Sequence, residues 1–372
     1  MTTPPDHCTA ILTVDLEALV NNYRTLSDVA RKAECAAVVK ADAYGVGMDR
    51  VAPTLAKAGC KTFFVATLDE AIALRGLLET AEIHMLNGLL PGMEKELREH
   101  RITPVLNDLG EIDLWAHFCR WAEERLPADI HMDTGMNRLG LPKAEQDQLF
   151  ASADRLEPIS VNLVMSHLAC ADEIKHPMND KQLSAFERIK SQIEIGRASL
   201  ANSSGIYLNP DFQFDLVRPG CSLYGINPRP GIPNPMSHVV RLQGRILQVR
   251  DVDRGMTVGY GATHSVEKDG KVATIAVGYA DGYLRSLSNE GTVFINDIKV
   301  PVVGRVSMDL LIIDVSQVPE NLIHPGTLVD VIGPHNPVDS IAEKAGTIGY
   351  EILTSLGGRY HRAYTGGVAP IL

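Results

Sequence analysis

Lys40 closes an apolar run, AAVVK, and opens a glycine-punctuated stretch, ADAYGVG. A lysine at such a place is either a solvated strand end or an amine that condenses with a carbonyl ligand. Other chemistry-bearing residues stand at the ends of similar runs. Asp133 and Arg138 follow DIHM, His167 lies in NLVMSHL, Asn202 and Ser203 close ASLANS, and Arg218-Pro-Gly-Cys221 ends FDLVR. The hydroxyls of Ser203 and Ser204 and the open backbone at Gly220 and Cys221 suit an anion such as phosphate. Each residue alone has a plainer reading: Lys40 solvated, His167 a core histidine, Arg218 paired with Asp215, the serines turn formers. Gathered on one rim, they need a partner. A ligand with both a phosphate and a carbonyl satisfies most of them, and pyridoxal 5'-phosphate has both.

The elements that would gather them alternate. β-rich runs at 36–40, 62–67, 82–87, 102–107, 129–133, 162–168, 198–203 and 214–218 are separated by helical patterns such as DRVAPTLAKAG, LDEAIALRGLL and LSAFERIKSQIEIG. The last pattern ends in Gly196, which predicts a helix C-cap there. Eight such units predict a (β/α)₈ TIM-type barrel over residues 13–236, with its site at the C-terminal strand ends. A doubly wound open sheet is the alternative, but no G-x-G-x-x-G follows any strand. Beyond Ser237 the runs become alternating, β-branched and glycine-bounded, which predicts a mainly antiparallel β domain over 237–372. Residues 1–12 are expected to join its sheet, and the proline cluster at 226–235 to link the two parts. The fold class is thus α/β, a barrel followed by a β domain.

The totals exclude some partners. A net charge of −11 argues against nucleic acid and anionic membrane surfaces. No apolar run is long enough for a membrane span. The N-terminal residues lack a signal-peptide pattern. Six scattered cysteines show no zinc spacing, so no metal is expected, and they read as reduced thiols of a cytoplasmic protein.

VVKADAYGVG, HMDTGMNRLG, SHLACAD, ANSSG, RPGCSLYGINP, VGYGATH, VGYADGYLR and GRVSMD occur in this order over about residues 12–364. In order and spacing they resemble the alanine racemases, pyridoxal-phosphate enzymes of fold type III. The resemblance implies a cytoplasmic homodimer with shared active sites that interconverts L- and D-alanine, supplying D-alanine for peptidoglycan. Lys40 is similar to the lysine that bonds the cofactor covalently and to one of two catalytic bases. Tyr260 is similar to the second base, delivered from the other subunit. Tyr44, Ser203, Gly220, Cys221 and Tyr350 match phosphate ligands, with Asn202 beside them. Arg218 matches the partner of the pyridine nitrogen, with His167 behind it. Arg138, helped by the Met308 backbone, matches the group that binds the substrate carboxylate. Asp172, Tyr279, Arg285, Arg305 and Ile348 match the substrate entryway. Two positions depart from the pattern. His131 stands where many members carry a carbamylated lysine that braces the arginine here numbered 138, and Ser307 replaces a common cysteine.

Racemisation removes the α-proton and returns one on the opposite face, so it needs a base on each side. Three rivals stay open at this level. One is a related racemase or decarboxylase with another amino acid as substrate. Another is a non-catalytic carrier of the cofactor. The third is a barrel hydrolase using His167 and Asp133.

Overall fold

A computed structural model describes residues 7–193 and 196–366. Its N-terminal part is a parallel barrel. The strands Ala37–Val38, Thr62–Val65, Glu82–Met85, Thr103–Leu106, Pro127–His131, Ser160–Met165 and Arg197–Ser199 pair in sequence order. The eighth stave, Leu216–Val217, pairs in parallel with Glu34–Cys35, which continues into Ala37–Val38. A bridge between Asn202 and Arg218 ties it to the seventh. Ala36, Val38, Phe64, Val105, Leu163, Met165 and Leu216 fill the interior, as the packed core of such a barrel requires. One ion pair is built into it. His84 Nδ1 lies 2.6 Å from Asp129 Oδ2, and both side chains are fully buried.

The runs predicted as strands are longer than the strands observed. ASLANS yields only Arg197–Ser199, because the residues beyond it turn away toward the barrel mouth. Gly196 is not the C-cap of the helix before it. That helix, Pro177–Lys190, ends at Ser191. Gly196 has φ +69, and a Cβ there would lie 2.9 Å from the carbonyl of Asn162 on the neighbouring strand. Its glycine is required by close strand approach and not by helix termination.

The C-terminal domain is built on a mixed sheet ordered Ile298–Pro301, Thr292–Ile295, Leu328–Ile332, Val240–Val252, Ala10–Asp15, His361–Thr365, with Gly270–Ile275 branching from its long central strand and pairing in turn with Leu311–Asp314. The N-terminal strand is Ala10–Asp15, antiparallel to Val240–Val252 and parallel to His361–Thr365. It therefore runs past the expected limit at residue 12, and residues 1–6 lie outside the described residues. Its last residue, Asp15, caps the first barrel helix, Leu16–Ala30, accepting from the N–H groups of Glu17 and Ala18 at 2.9 Å. The two domains are thus joined through one capping residue as well as through the 226–235 segment. Two helices near the end, Val338–Ala345 and Gly349–Thr354, return to the barrel.

Candidate active site

The residues after Val38 do not form an ordinary loop. Ala41, Asp42 and Ala43 have φ 53 and Tyr44 has φ 57, so Lys40–Gly45 coils as a left-handed turn. Such a turn costs about 1–2 kcal/mol per non-glycine residue. Its surroundings hold it. The Ala41 N–H donates to Glu70 Oε1 at 2.7 Å and the Met48 N–H to Asp42 Oδ1 at 2.7 Å. Arg362 donates to the Gly45 carbonyl at 2.7 Å and Tyr364 Oη to that of Val46 at 3.0 Å. Gly45, φ +83, packs against the Leu353 backbone where no Cβ fits. The turn brings Lys40 and Tyr44 to one mouth. Burial first, then the charge of Arg138, lowers the Lys40 pKa.

Opposite the turn lies a cradle of donors. Tyr44 stacks on Tyr224 at 4.8 Å and meets Tyr350 edge-on at 6.3 Å. Ser203 Oγ accepts from the Gly220 N–H at 3.0 Å. A Cβ on Gly220 would collide with the Tyr44 hydroxyl. Burial raises the pKa of both Tyr44 and Tyr350 above the phenol range, so their hydroxyls stay protonated and can donate to an anion. This donor set fits a phosphate group. Asn202 is partly spent on the fold, its Oδ1 accepting from the Gly205 N–H at 2.9 Å.

Deeper in the mouth Arg218 is buried and does not pair with Asp215. It donates to Ser199 Oγ and, at 2.5 Å, to the Ser166 carbonyl. Asp215 instead faces Lys190 at 3.4 Å. Burial lowers the Arg218 pKa to about 10, which still leaves it charged at neutral pH. Burial, then the charges of Arg218 and Arg138, holds His167 far below its usual pKa, as an uncharged imidazole. His131 is likewise pushed down to about 4 by burial, Arg218 and Arg138. The charges of Arg218 and Arg138 therefore act together on Lys40 and on the two uncharged imidazoles, His131 and His167. Asp133 does not serve it as a base. Its Oδ1 accepts from the N–H groups of Gly135, Met136 and Asn137 at 2.8, 2.9 and 3.2 Å. That removes the hydrolase rival.

The remaining predicted residues form a second group on the β domain. Tyr260 stands 72% exposed, on a turn between Gly259 and Gly261, both at positive φ. A Cβ on Gly261 would lie 2.8 Å from the Arg305 guanidinium, so Arg305 packs behind the Tyr260 turn. The Tyr279 N–H donates to the Ser307 carbonyl, and the Ala280 N–H to that of Met308, both at 3.0 Å. Tyr279, Met308 and Ile348 are exposed, as are Arg285 and Asp172. Asp172 lies instead in the loop that follows the barrel strand Ser160–Met165. Tyr283 is buried and packs under Gly291, as a structural residue. Among the described residues, no hydrogen bond, ion pair or ring contact joins the Tyr260 turn to the Lys40 mouth.

Several supporting residues were missed from sequence. Glu70 and Arg362 hold the Lys40 turn from distant segments, and no local pattern marks them. Arg359 donates to Asp281 at 2.8 Å and Asp309 at 2.7 Å, clamping the loops of Tyr279 and Met308. Asn107 bonds His131 at 2.8 Å. It is the last residue of the predicted run at 102–107, so the strand-end rule that singled out Lys40 could have found it.

The chain matches the models described as alanine racemase, N-terminal domain, over residues 14–228 and alanine racemase, C-terminal domain, over residues 239–364. An alanine racemase of Rhodospirillum rubrum is 50% identical over 363 residues, 97% of each chain. A catabolic alanine racemase of Mesorhizobium japonicum is 47% identical over 361 residues, 96% of this chain and 94% of the relative. The crystal structure of alanine racemase from Bartonella henselae with covalently bound pyridoxal phosphate superposes with a TM-score of 0.93 at 43% identity, covering 96% of this chain and 99% of that one. With both domain models matched in order and near full-length identity to these relatives, the chain belongs to the alanine racemase family.

Proposed function

We propose that this chain interconverts L- and D-alanine by moving protons at Lys40 on one side of the substrate and at Tyr260 on the other. The observation that carries the reading is the single mouth where an amine of lowered pKa, two arginines and a hydroxyl cradle meet. When bound, pyridoxal phosphate supplies a conjugated ring that takes up the electron pair left by the departing α-proton. Tyr44, Ser203, Tyr350 and the backbone at Gly220 and Cys221 would hold its phosphate, with Asn202 shaping the turn beside them. Arg218 would face the ring nitrogen and keep its own proton, which would restrain electron withdrawal and disfavour transamination. His167, kept uncharged, adds no further positive charge behind it.

Lys40 Nζ needs a free lone pair to take a proton, and the lowered pKa makes the neutral amine accessible. Arg138 contributes to that lowering and binds the substrate carboxylate, assisted by the Met308 backbone. Tyr260 acts from a second copy of the chain, a role its outward exposure supports. The entryway residues Asp172 and Ile348 then face Tyr279, Arg285 and Arg305 of the other copy. A cytoplasmic homodimer supplying D-alanine for peptidoglycan follows from this reading. The Mesorhizobium japonicum relative's name supports catabolic use as a second reading, and a D-alanine requirement on gene deletion separates the two.

Mixing Lys40→Ala copies with Tyr260→Phe copies tests the shared site. Neither variant alone should racemise alanine well. Randomly reassembled dimers should recover about a quarter of wild-type activity, since hybrids carry one intact site. No recovery would refute the delivery of Tyr260 from a second copy.

A further inference from the structure

We infer that Gln182 is a positioning residue for His167 and Arg218, its side-chain amide gripping the segment 166–169 from behind the barrel. The bonding stands on geometry alone, while the task of Arg218 rests on the racemase reading above.

Asn179, Gln182, Phe186 and Ile189 are the buried residues of the helix Pro177–Lys190, at the three- and four-residue spacing of an inward face. A glutamine on such a face is costly unless its amide is bonded. Gln182 is wholly shielded from solvent, and its amide is fully used. Nε2 donates to the His167 carbonyl at 2.8 Å and to Thr134 Oγ1 at 3.0 Å, and Oε1 accepts from the Ala169 N–H at 2.9 Å. A carbonyl only accepts and a backbone N–H only donates, so the amide has one possible orientation. A carboxylate in its place would offer His167 no donor, and an apolar side chain would serve neither backbone group. The two partners, two residues apart, thus demand a donor and an acceptor in one side chain.

The bonds run on to Arg218. Thr134 Oγ1 and Ser166 Oγ lie 2.7 Å apart, and the Ser166 carbonyl accepts from Arg218 Nη2 at 2.5 Å. Ser166 is therefore fixed at its hydroxyl and holds the guanidinium at its carbonyl. Thr134, Ser166, Gln182 and Arg218 are all buried, so no solvent replaces a lost partner. Thr134 also begins the turn that leads to Arg138. Gly135 of that turn, φ +133, lies against Met178 of the same helix, where a Cβ would come within 2.4 Å of Cε. One helix behind the barrel thereby sets the backbone of His167, the acceptor of Arg218 and the turn before Arg138. A shift of Ser166 would carry the guanidinium with it, away from the place where it would face the cofactor's ring nitrogen.

Two variants test this. Gln182→Met keeps the length of the side chain and removes all three bonds. Thr134→Val keeps the shape and removes only the link from Gln182 to Ser166. In cofactor-free protein, hydrogen–deuterium exchange of the backbone at 166–169 should speed up by roughly 2- to 10-fold in Gln182→Met, the worth of one neutral hydrogen bond. With pyridoxal phosphate bound, the readout is transamination, in which alanine's amino group passes to the cofactor and water supplies the keto oxygen of the pyruvate released. Pyruvate formed per alanine racemised is a ratio, so loss of folded protein alone does not move it. The ratio should rise by roughly 2- to 10-fold in each variant, and no further when the two are combined, because both break one chain of bonds. An unchanged ratio in Thr134→Val overturns the inference, and decides it even if Gln182→Met does not fold. An additive rise in the combined variant overturns the path through Thr134. Unchanged exchange at 166–169 in Gln182→Met overturns the anchoring itself. Failure of the racemase reading is distinct: wild-type protein with cofactor would leave alanine unracemised, removing the task of Arg218 while the exchange result stood.

Discussion

Gly220 and Tyr44 meet so closely that one added carbon has no room between them. An added Cβ at Gly220 would meet the Tyr44 hydroxyl and ring directly, and that contact leaves no room for a side chain there. Overpacking of this kind costs about 1–3 kcal/mol. The Tyr44 ring is stacked on Tyr224, so the added carbon must push its hydroxyl from the place where it would meet a phosphate. Gly220→Ala is therefore expected to raise the Kd for pyridoxal phosphate by roughly 10- to 100-fold, and to lower the melting temperature of cofactor-free protein. Absorbance titration and thermal melts check both, and an unchanged Kd would remove Tyr44 from the cradle.

Arg362 reaches across from the last described strand to the Gly45 carbonyl, and so holds a backbone that its own sequence disfavours. Arg362→Ala should destabilise the protein by about 1.5–3 kcal/mol, the worth of a charge-assisted hydrogen bond, and lower kcat because Lys40 sits at the start of that turn. Denaturant melts and steady-state rates measure the two. Lost stability with unchanged kcat would show that the turn does not position Lys40.

The His84–Asp129 pair has no solvent to fall back on. Removing one partner leaves a buried charge, so Asp129→Ala should cost about 3–5 kcal/mol. Replacing both, as His84→Leu with Asp129→Leu, should recover most of that loss. The pair also sets a pH dependence. Burial opposes charging of His84, but the Asp129 carboxylate, helped by Glu82, more than reverses it, so folding lifts the pKa from 6.5 to about 9. The folded protein then holds a proton that the unfolded chain releases above 6.5. Stability from the pair is complete below pH 6.5 and declines as pH rises toward 9. Urea midpoints across that range should fall in wild type and fall less in the double variant.

His131 runs the other way. Its pKa drops to about 4 on folding, so between pH 6.5 and 4 the unfolded chain binds a proton that the folded one does not. Stability from this group is lost as pH falls through that window. His131→Gln should flatten part of the acid limb of the stability curve, and an unaltered limb would contradict a buried, uncharged His131.

Much of this site was legible in the sequence because barrel geometry places strand ends on one rim. Lys40, Arg138, His167, Ser203 and Arg218 each follow or lie in a predicted run, and each reaches the mouth. The left-handed turn at 41–44 was not legible. Nothing in ADAY favours positive φ, and the conformation is imposed by Glu70, Arg362, Tyr364 and the Leu353 backbone, all distant in sequence. Gly196 misled for a related reason: a glycine demanded by a neighbouring strand looks the same in sequence as one that ends a helix. The Ala10–Asp15 strand was expected in the C-terminal sheet, but the limit at residue 12 fell short of Asp15, which is at once the end of a strand and the cap of the next helix.

The central claim is that two groups, Lys40 and Tyr260, act on opposite faces of one α-carbon. The direct measurement is α-proton exchange in deuterated water alongside interconversion, for each alanine enantiomer, in Tyr260→Phe. Loss of one acid–base group should slow interconversion by about 10²–10⁴-fold, while one enantiomer still exchanges its α-proton with its configuration retained, through Lys40. Interconversion at the wild-type rate in Tyr260→Phe would contradict the account.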